Sequence, residues 1–243
     1  MTEFWLRAGG LVDALSGLPM LAVALTLAAF FAGERLFRLL RQPIWCPPVL
    51  LSAFLLSGFL VVLGLDFRQY REGAQWLTLL LGPATVALGV PLYQQMHHIR
   101  ALWRPILVTL PVAATLAACY ALALAAVFGA SAEVLASVAP KSVTAPIAIG
   151  ITEQLGGSVS LMMGGLLVTG VLATLFVDGL GQWLGIRDDR ILGFALGLNG
   201  HAVGTARAFA ISPTAGAFAS LGMGLTGVFT ALMLPLAFGL FVP

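Results

Sequence analysis

Residues 139–158 read APKSVTAPIAIGITEQLGGS. The centre, 145–151, is as apolar as a membrane span, yet Lys141, Ser142, Thr144, Thr152, Glu153 and Gln154 share the stretch with two prolines and a terminal Gly156-Gly157 pair. A clean apolar helix would cross a bilayer at lower cost, because ionisable side chains and interrupted backbone are both expensive in hydrocarbon. Proline suits the first turn of a helix, where the amide it lacks would have no partner anyway. Pro140 is therefore expected to start a half-helix inside the membrane, with bare N–H groups and the positive end of the dipole at its tip.

The rest of the chain is equally apolar. Of 243 residues, 60% are hydrophobic and 9% charged, with a mean hydropathy of +1.01. A soluble domain carries about 25% charged residues, so this inventory cannot make a water-facing surface. The expected fold is an all-α polytopic membrane protein. One integral membrane domain is expected over 1–243, with an N-terminal segment at 1–17 and a transmembrane bundle over 18–241.

About eight hydrophobic segments are expected: 18–39, 47–65, 76–93, 106–128, the quoted stretch, 159–176, 191–209 and 215–241. Most are near the roughly 20 residues that cross a hydrocarbon core. Several are broken or re-entrant. Arg35, Arg38 and Arg41 place the end of the first segment in the cytoplasm by the positive-inside rule. If every segment crosses fully, both termini lie outside; a re-entrant segment flips that parity for all that follows.

Several function classes drop out. A net charge of +2 from scattered basic residues gives no footing for nucleic acid. Cys46 and Cys119 lack metal or redox spacing and read as inert thiols. The isolated His97-His98 pair does not make a metal site. With no phosphate loop, nucleophile elbow or paired carboxylates, neither an enzyme nor a cofactor is expected.

The third segment echoes the fifth. LGPATVALGVP at 81–91 and VAPKSVTAPIA at 138–148 each place a hydroxyl two residues after a proline: Pro83 with Thr85, and Pro140 with Ser142. Two interrupted segments of this kind point to an inverted repeat of transporter type, with a site near the bilayer midplane. Bare helix N-termini bind anions, and a carboxylate is the natural guest. Thr85, Ser142 and Thr144 offer hydroxyls to it, or cap their own helices. Lys141 adds a full positive charge, or snorkels to the interface. Glu153, roughly 20 Å along a helix started at Pro140, is a candidate for proton or cation coupling or a capping carboxylate near the opposite surface.

The seventh segment, ILGFALGLNGHAVGTARAF at 191–209, carries Gly193, Gly197, Gly200 and Gly204. On a continuous helix these fall within about 60° of one face, where another backbone can approach closely. Asn199, His201, Thr205 and Arg207 share the segment. His201 can carry a proton near neutral pH or bond neutrally between helices. Arg207 can grip a carboxylate or mark a cytoplasmic end.

LGPATVALGVPLYQQ, PKSVTAPIAIGITEQLGG and GLNGHAVGTARAF, in this order, resemble the LrgB/CidB family of bacterial membrane proteins, and the likeness runs from about Leu18 to Pro235. Two departures stand out. Ala145 stands where the family usually has a second threonine, and Val159 and Met162 stand where a proline and a threonine usually follow the glycine turn. The resemblance implies a multi-pass protein of the bacterial inner membrane, expected as a homo-oligomer. It carries two functional accounts. One is antiholin-like modulation of murein hydrolase activity and autolysis, with a small LrgA/CidA-like membrane partner. The other is carriage of small carboxylates such as pyruvate, glycolate or glycerate, as implied by likeness to the plastid glycolate/glycerate translocator. Half-helices, hydroxyls, a lysine and a histidine inside spans favour a secondary transporter of small monocarboxylates, proton- or cation-coupled. A non-transporting scaffold subunit is a third account.

Overall fold

The computed structural model describes residues 19–41, 43, 46–87, 89–94 and 96–241. The expected segment 1–17 lies outside the described residues. Every element among those described is helical. Four helices are long and apolar enough to cross a membrane: α1 (Pro19–Leu39), α8 (Trp103–Val127), α11 (Val159–Trp183) and α13 (Pro213–Phe241) through Gly239. Eight separate crossings are therefore not seen. A fifth is reached if α2 (Pro48–Leu63) and α3 (Phe67–Gly73), bent by 118°, count as one span. The chain divides into two compact units between Val86 and Ala87.

In the first unit α1 packs on α2, and Gly33 allows it: a methyl there would overlap Ser52. The turn after α2 is made by Gly64 at φ 64°, a conformation glycine adopts without strain. Tyr70 on α3 shares a 2.8 Å hydrogen bond with Thr26 on α1. The expected third crossing is instead broken into α4 (Gln75–Leu79), α5 (Leu81–Ala87), α6 (Gly89–Gln94) and α7 (Met96–Ala101). Pro83 lies inside the first turn of α5 instead of starting a membrane-deep half-helix. Glycines and prolines recurring within ten residues leave no run long enough to span.

The second unit holds two helical hairpins between long helices. One is α9 (Ala132–Val138) and α10 (Ala145–Gln154), joined by the turn at 139–144. The other is α12 (Asp189–Ile211), whose helical course breaks at His201 (φ 40°, ψ −131°) into halves at 189–200 and 202–211. Asn199-Gly200 precedes the break, and such dipeptides favour turns.

Neighbour pairs fix the course of α12. Gly181 on α11 meets Leu192, Ala173 meets Gly200, and Gly170 meets His201, so the first half runs antiparallel to α11. Methyl groups at Gly193 and Gly197 would overlap the carbonyls of Ala215 and Ala219, so that half runs parallel to the start of α13. Gly204 abuts the backbone of Leu196, so the second half returns alongside the first. Ser212 Oγ donates to Asp189 Oδ2 at 2.6 Å and pins both ends of the hairpin together. Twelve helical residues reach only about 18 Å. The expected seventh crossing is thus a re-entrant hairpin, and its four glycines do not share one face. Gly193 and Gly197 meet α13, Gly200 meets α11, and Gly204 meets the other half of its own hairpin.

The first hairpin enters from the opposite end. Ala136, Ala139 and Ile151 form a buried cluster with Leu234 and Phe238 near the C-terminus of α13. Val143 packs with Met162 and Leu166 on α11. Ser137 Oγ accepts a 2.8 Å hydrogen bond from the Ser158 amide, tying α9 to the start of α11. The first tip thus reaches Met162 and Leu166 and the second Leu166 and Gly170, so the two meet at Leu166 in the middle part of α11.

Candidate functional site

The first tip begins where α9 ends. Successive turns close with Lys141 N–H to the Val138 carbonyl at 3.2 Å and Val143 N–H to the Pro140 carbonyl at 3.0 Å. Thr144 then takes an extended N-cap conformation, and Pro146 occupies the first turn of α10. The half-helix thus starts at Ala145, not at Pro140; Pro140 is buried in the turn. The reason is local, since turn hydrogen bonds hold 138–143 before helical geometry begins. Glu153, about 12 Å along α10 from its start, is exposed at the far end. Gly156, at φ 73°, follows the last turn of that helix in the left-handed conformation that ends many helices.

Lys141 is half-exposed. Its Nζ donates to Tyr120 Oη on α8 at 2.9 Å and to Ser142 Oγ at 3.2 Å, and sits 4.3 Å from the Tyr120 ring centroid. An ammonium has three donors, so two are committed to neutral oxygens. Ion pairs join Arg38 to Glu34, Arg68 to Glu72 and Arg190 to Asp188, and among the described residues no carboxylate pairs with Lys141.

The second tip is held from three sides. His201 is 1% exposed, and its Nε2 lies 2.8 Å from the Leu166 carbonyl. A carbonyl only accepts, so Nε2 carries the hydrogen and Nδ1 is the bare acceptor. Nδ1 is buried without a partner. Thr205 Oγ1 donates to the His201 carbonyl at 2.8 Å. Gly170 makes the space: a methyl there would come within 2.8 Å of His201 Cε1. A positive φ on a non-glycine residue costs on the order of 1–3 kcal/mol, and these contacts hold it. Leu166 thereby serves both tips, with its side chain against Val143 and its carbonyl against His201.

Between the tips and α11 runs a groove of about 450 Å³, lined by Tyr120, Lys141, Thr169, Leu172, Ala173, Phe176, Val177, Leu180 and Asn199. Asn199 Nδ2 donates to the Ala195 carbonyl at 3.0 Å, which leaves Oδ1 as an acceptor. The structure thus brings Lys141, Ser142 and Asn199 to one place, with Thr144 buried just behind. Thr205 is buried against Met223 and acts on the tip backbone. Arg207 lies on the returning half of α12, half-buried and outside the groove lining. Pro83 belongs to the first unit, and the Thr85 side chain lies outside the described part of the structure. Tyr120 and Thr169 escape a search for polar motifs. The signal for Tyr120 is a phenol in mid-span, whose hydroxyl needs a partner. Among the described residues no cluster of histidine, cysteine and carboxylate side chains is set to hold a metal ion.

Long apolar helices and paired hairpins define the class: a multi-pass, all-helical membrane protein. Residues 26–240 match the LrgB-like family, and the chain belongs to it. The protein YxaC of Bacillus subtilis, described as uncharacterized, is 34% identical over 228 residues, covering 92% of this chain and 97% of its own. An uncharacterized protein of Haemophilus influenzae is 33% identical over 190 residues, 78% of this chain and 82% of its own. The holin-like protein CidB of Staphylococcus epidermidis is 26% identical over 222 residues, 91% and 96% of the two chains. No solved structure matches.

Proposed function

We propose that this protein is a secondary carrier of small monocarboxylates, of the pyruvate, glycolate and glycerate class, in the bacterial inner membrane. The missing counter-charge of Lys141 carries the proposal. A lysine halfway through a bundle is costly, and its ammonium meets two hydroxyls and an aromatic ring but no carboxylate among the described residues. A substrate carboxylate completes that set. The start of α10, just behind Lys141, adds the positive end of a helix dipole. Opposed entry of the hairpins favours an inverted arrangement within 87–243, in place of a pairing between the third and fifth segments. His201 is the favoured proton-coupling residue, because its buried Nδ1 is open. A homo-oligomer, and a small LrgA/CidA-like partner, belong to the same proposal.

Reconstituted into liposomes, the full chain should take up labelled pyruvate or glycolate saturably, and Lys141→Ala should lower kcat/KM at least tenfold while Lys141→Arg retains part. Under an imposed proton gradient, His201→Gln should exchange substrate but fail to concentrate it. Absence of saturable uptake, with or without the small partner, rejects the carrier. The name of the staphylococcal relatives favours a second account, a holin-like role in autolysis. Release of an unrelated dye from the same liposomes would decide for it, because a selective carrier retains such dyes.

A further inference from the structure

Resting on the carrier proposal, we infer that the preferred substrates are monocarboxylates bearing a branched or aromatic tail, and that three-carbon acids fill only the part of the site around its polar groups. The groove is amphipathic along its length. Lys141, Thr169 and Asn199 supply its polar groups, while Leu172, Phe176, Val177 and Leu180 extend its α11 wall. From Thr169 to Leu180 is about 16 Å of helix. A three-carbon acid takes only the volume of a few waters of ~30 Å³ each, so it leaves most of the roughly 450 Å³ beside leucine and phenylalanine unfilled. A tail laid along that wall moves from water into apolar surroundings, which tightens binding about fourfold per fully buried methylene. Among the described residues, Lys141 is also the sole cationic side chain lining the groove. A second carboxylate on the substrate would therefore face the apolar wall uncompensated, and dicarboxylates are rejected.

The test is competition against labelled pyruvate uptake by the full chain in liposomes. The expected result is half-inhibition by 4-methyl-2-oxopentanoate and phenylpyruvate at concentrations at least tenfold below that of unlabelled pyruvate. Succinate should compete at least tenfold more weakly than pyruvate. Labelled 4-methyl-2-oxopentanoate should itself be carried. Phe176→Ser and Leu172→Ser, both at exposed positions, should each pull the ratio between tailed and short acids toward one. Lys141-dependent pyruvate uptake with tailed acids no better than pyruvate would overturn the inference and leave the carrier standing. An unchanged ratio in both serine variants, or succinate competing as well as pyruvate, would also overturn it. If no monocarboxylate is taken up, the carrier proposal falls, and this inference falls with it.

Discussion

The two hairpins of the second unit reach the same depth by different chemistry. The first turns on side chains: prolines, hydroxyls and a lysine at 140–146 make a polar tip that a continuous helix could not hold. The second turns on absence of side chains. Gly193, Gly197 and Gly204 let three helical stretches pack with backbones nearly touching, and the single strained residue His201 makes the bend. One tip offers charge and the other offers fit. In the proposed carrier, binding and closure would thus be divided between two elements that enter from opposite ends.

The largest test of this contrast is topological. With Cys46 and Cys119 replaced by alanine, single cysteines at Arg187 and Thr214, on either side of α12, should react with a membrane-impermeant maleimide from the same face. Cysteines at Ala132 and Glu153 should react only from the other face. A fully crossing α12 would put 187 and 214 on opposite faces, an all-or-none difference. A smaller effect separates fit from charge. Gly197→Ala pushes a methyl into the Ala219 carbonyl and should cost about 1–3 kcal/mol, read as a lower melting temperature in detergent. Gly150→Ala has open space around it; it should be neutral or slightly stabilising, because alanine is the better helix former.

The smallest effect lies at the base of the second hairpin. Asp188 caps α12 and accepts from the Arg190 side chain, with Nη2 at 2.6 Å. That hydrogen bond lowers the Asp188 carboxyl from 3.8 to about 2. A carboxyl depressed on folding stabilises fully above its ordinary value, and that stability is lost as pH falls through the lowered one. Unfolding midpoints should therefore fall as pH drops from about 4 to about 2, and Asp188→Asn should flatten that limb. Both side chains are about one-third exposed, so solvent keeps the effect small.

The difference between the hairpins also explains what the sequence discloses. Prolines and a lysine in an apolar run are conspicuous, so the first hairpin and most of its polar tip are legible in the order of residues alone. The starting residue is not, because Pro140 and Pro146 both suit a first turn and only the hydrogen bonds at 138–143 choose between them. The second hairpin hides. Its glycine spacing fits the face of an unbroken helix equally well, and no proline marks the bend. Only Asn199-Gly200 and a lower hydropathy hint at it. Tyr120 and the α11 wall join the groove through tertiary packing alone, and no local pattern encodes that.

The glycine seam constrains how such a protein can move. With no gap at Gly193 or Gly197, the 189–211 hairpin and the start of α13 must shift as a single slab, pinned at its base by Asp189 and Ser212. In the proposed carrier, the stroke that turns Lys141 from one compartment to the other would slip along the plane facing α11. Among the described residues the His201–Leu166 hydrogen bond crosses that plane, and in the proposed carrier it would serve as the latch.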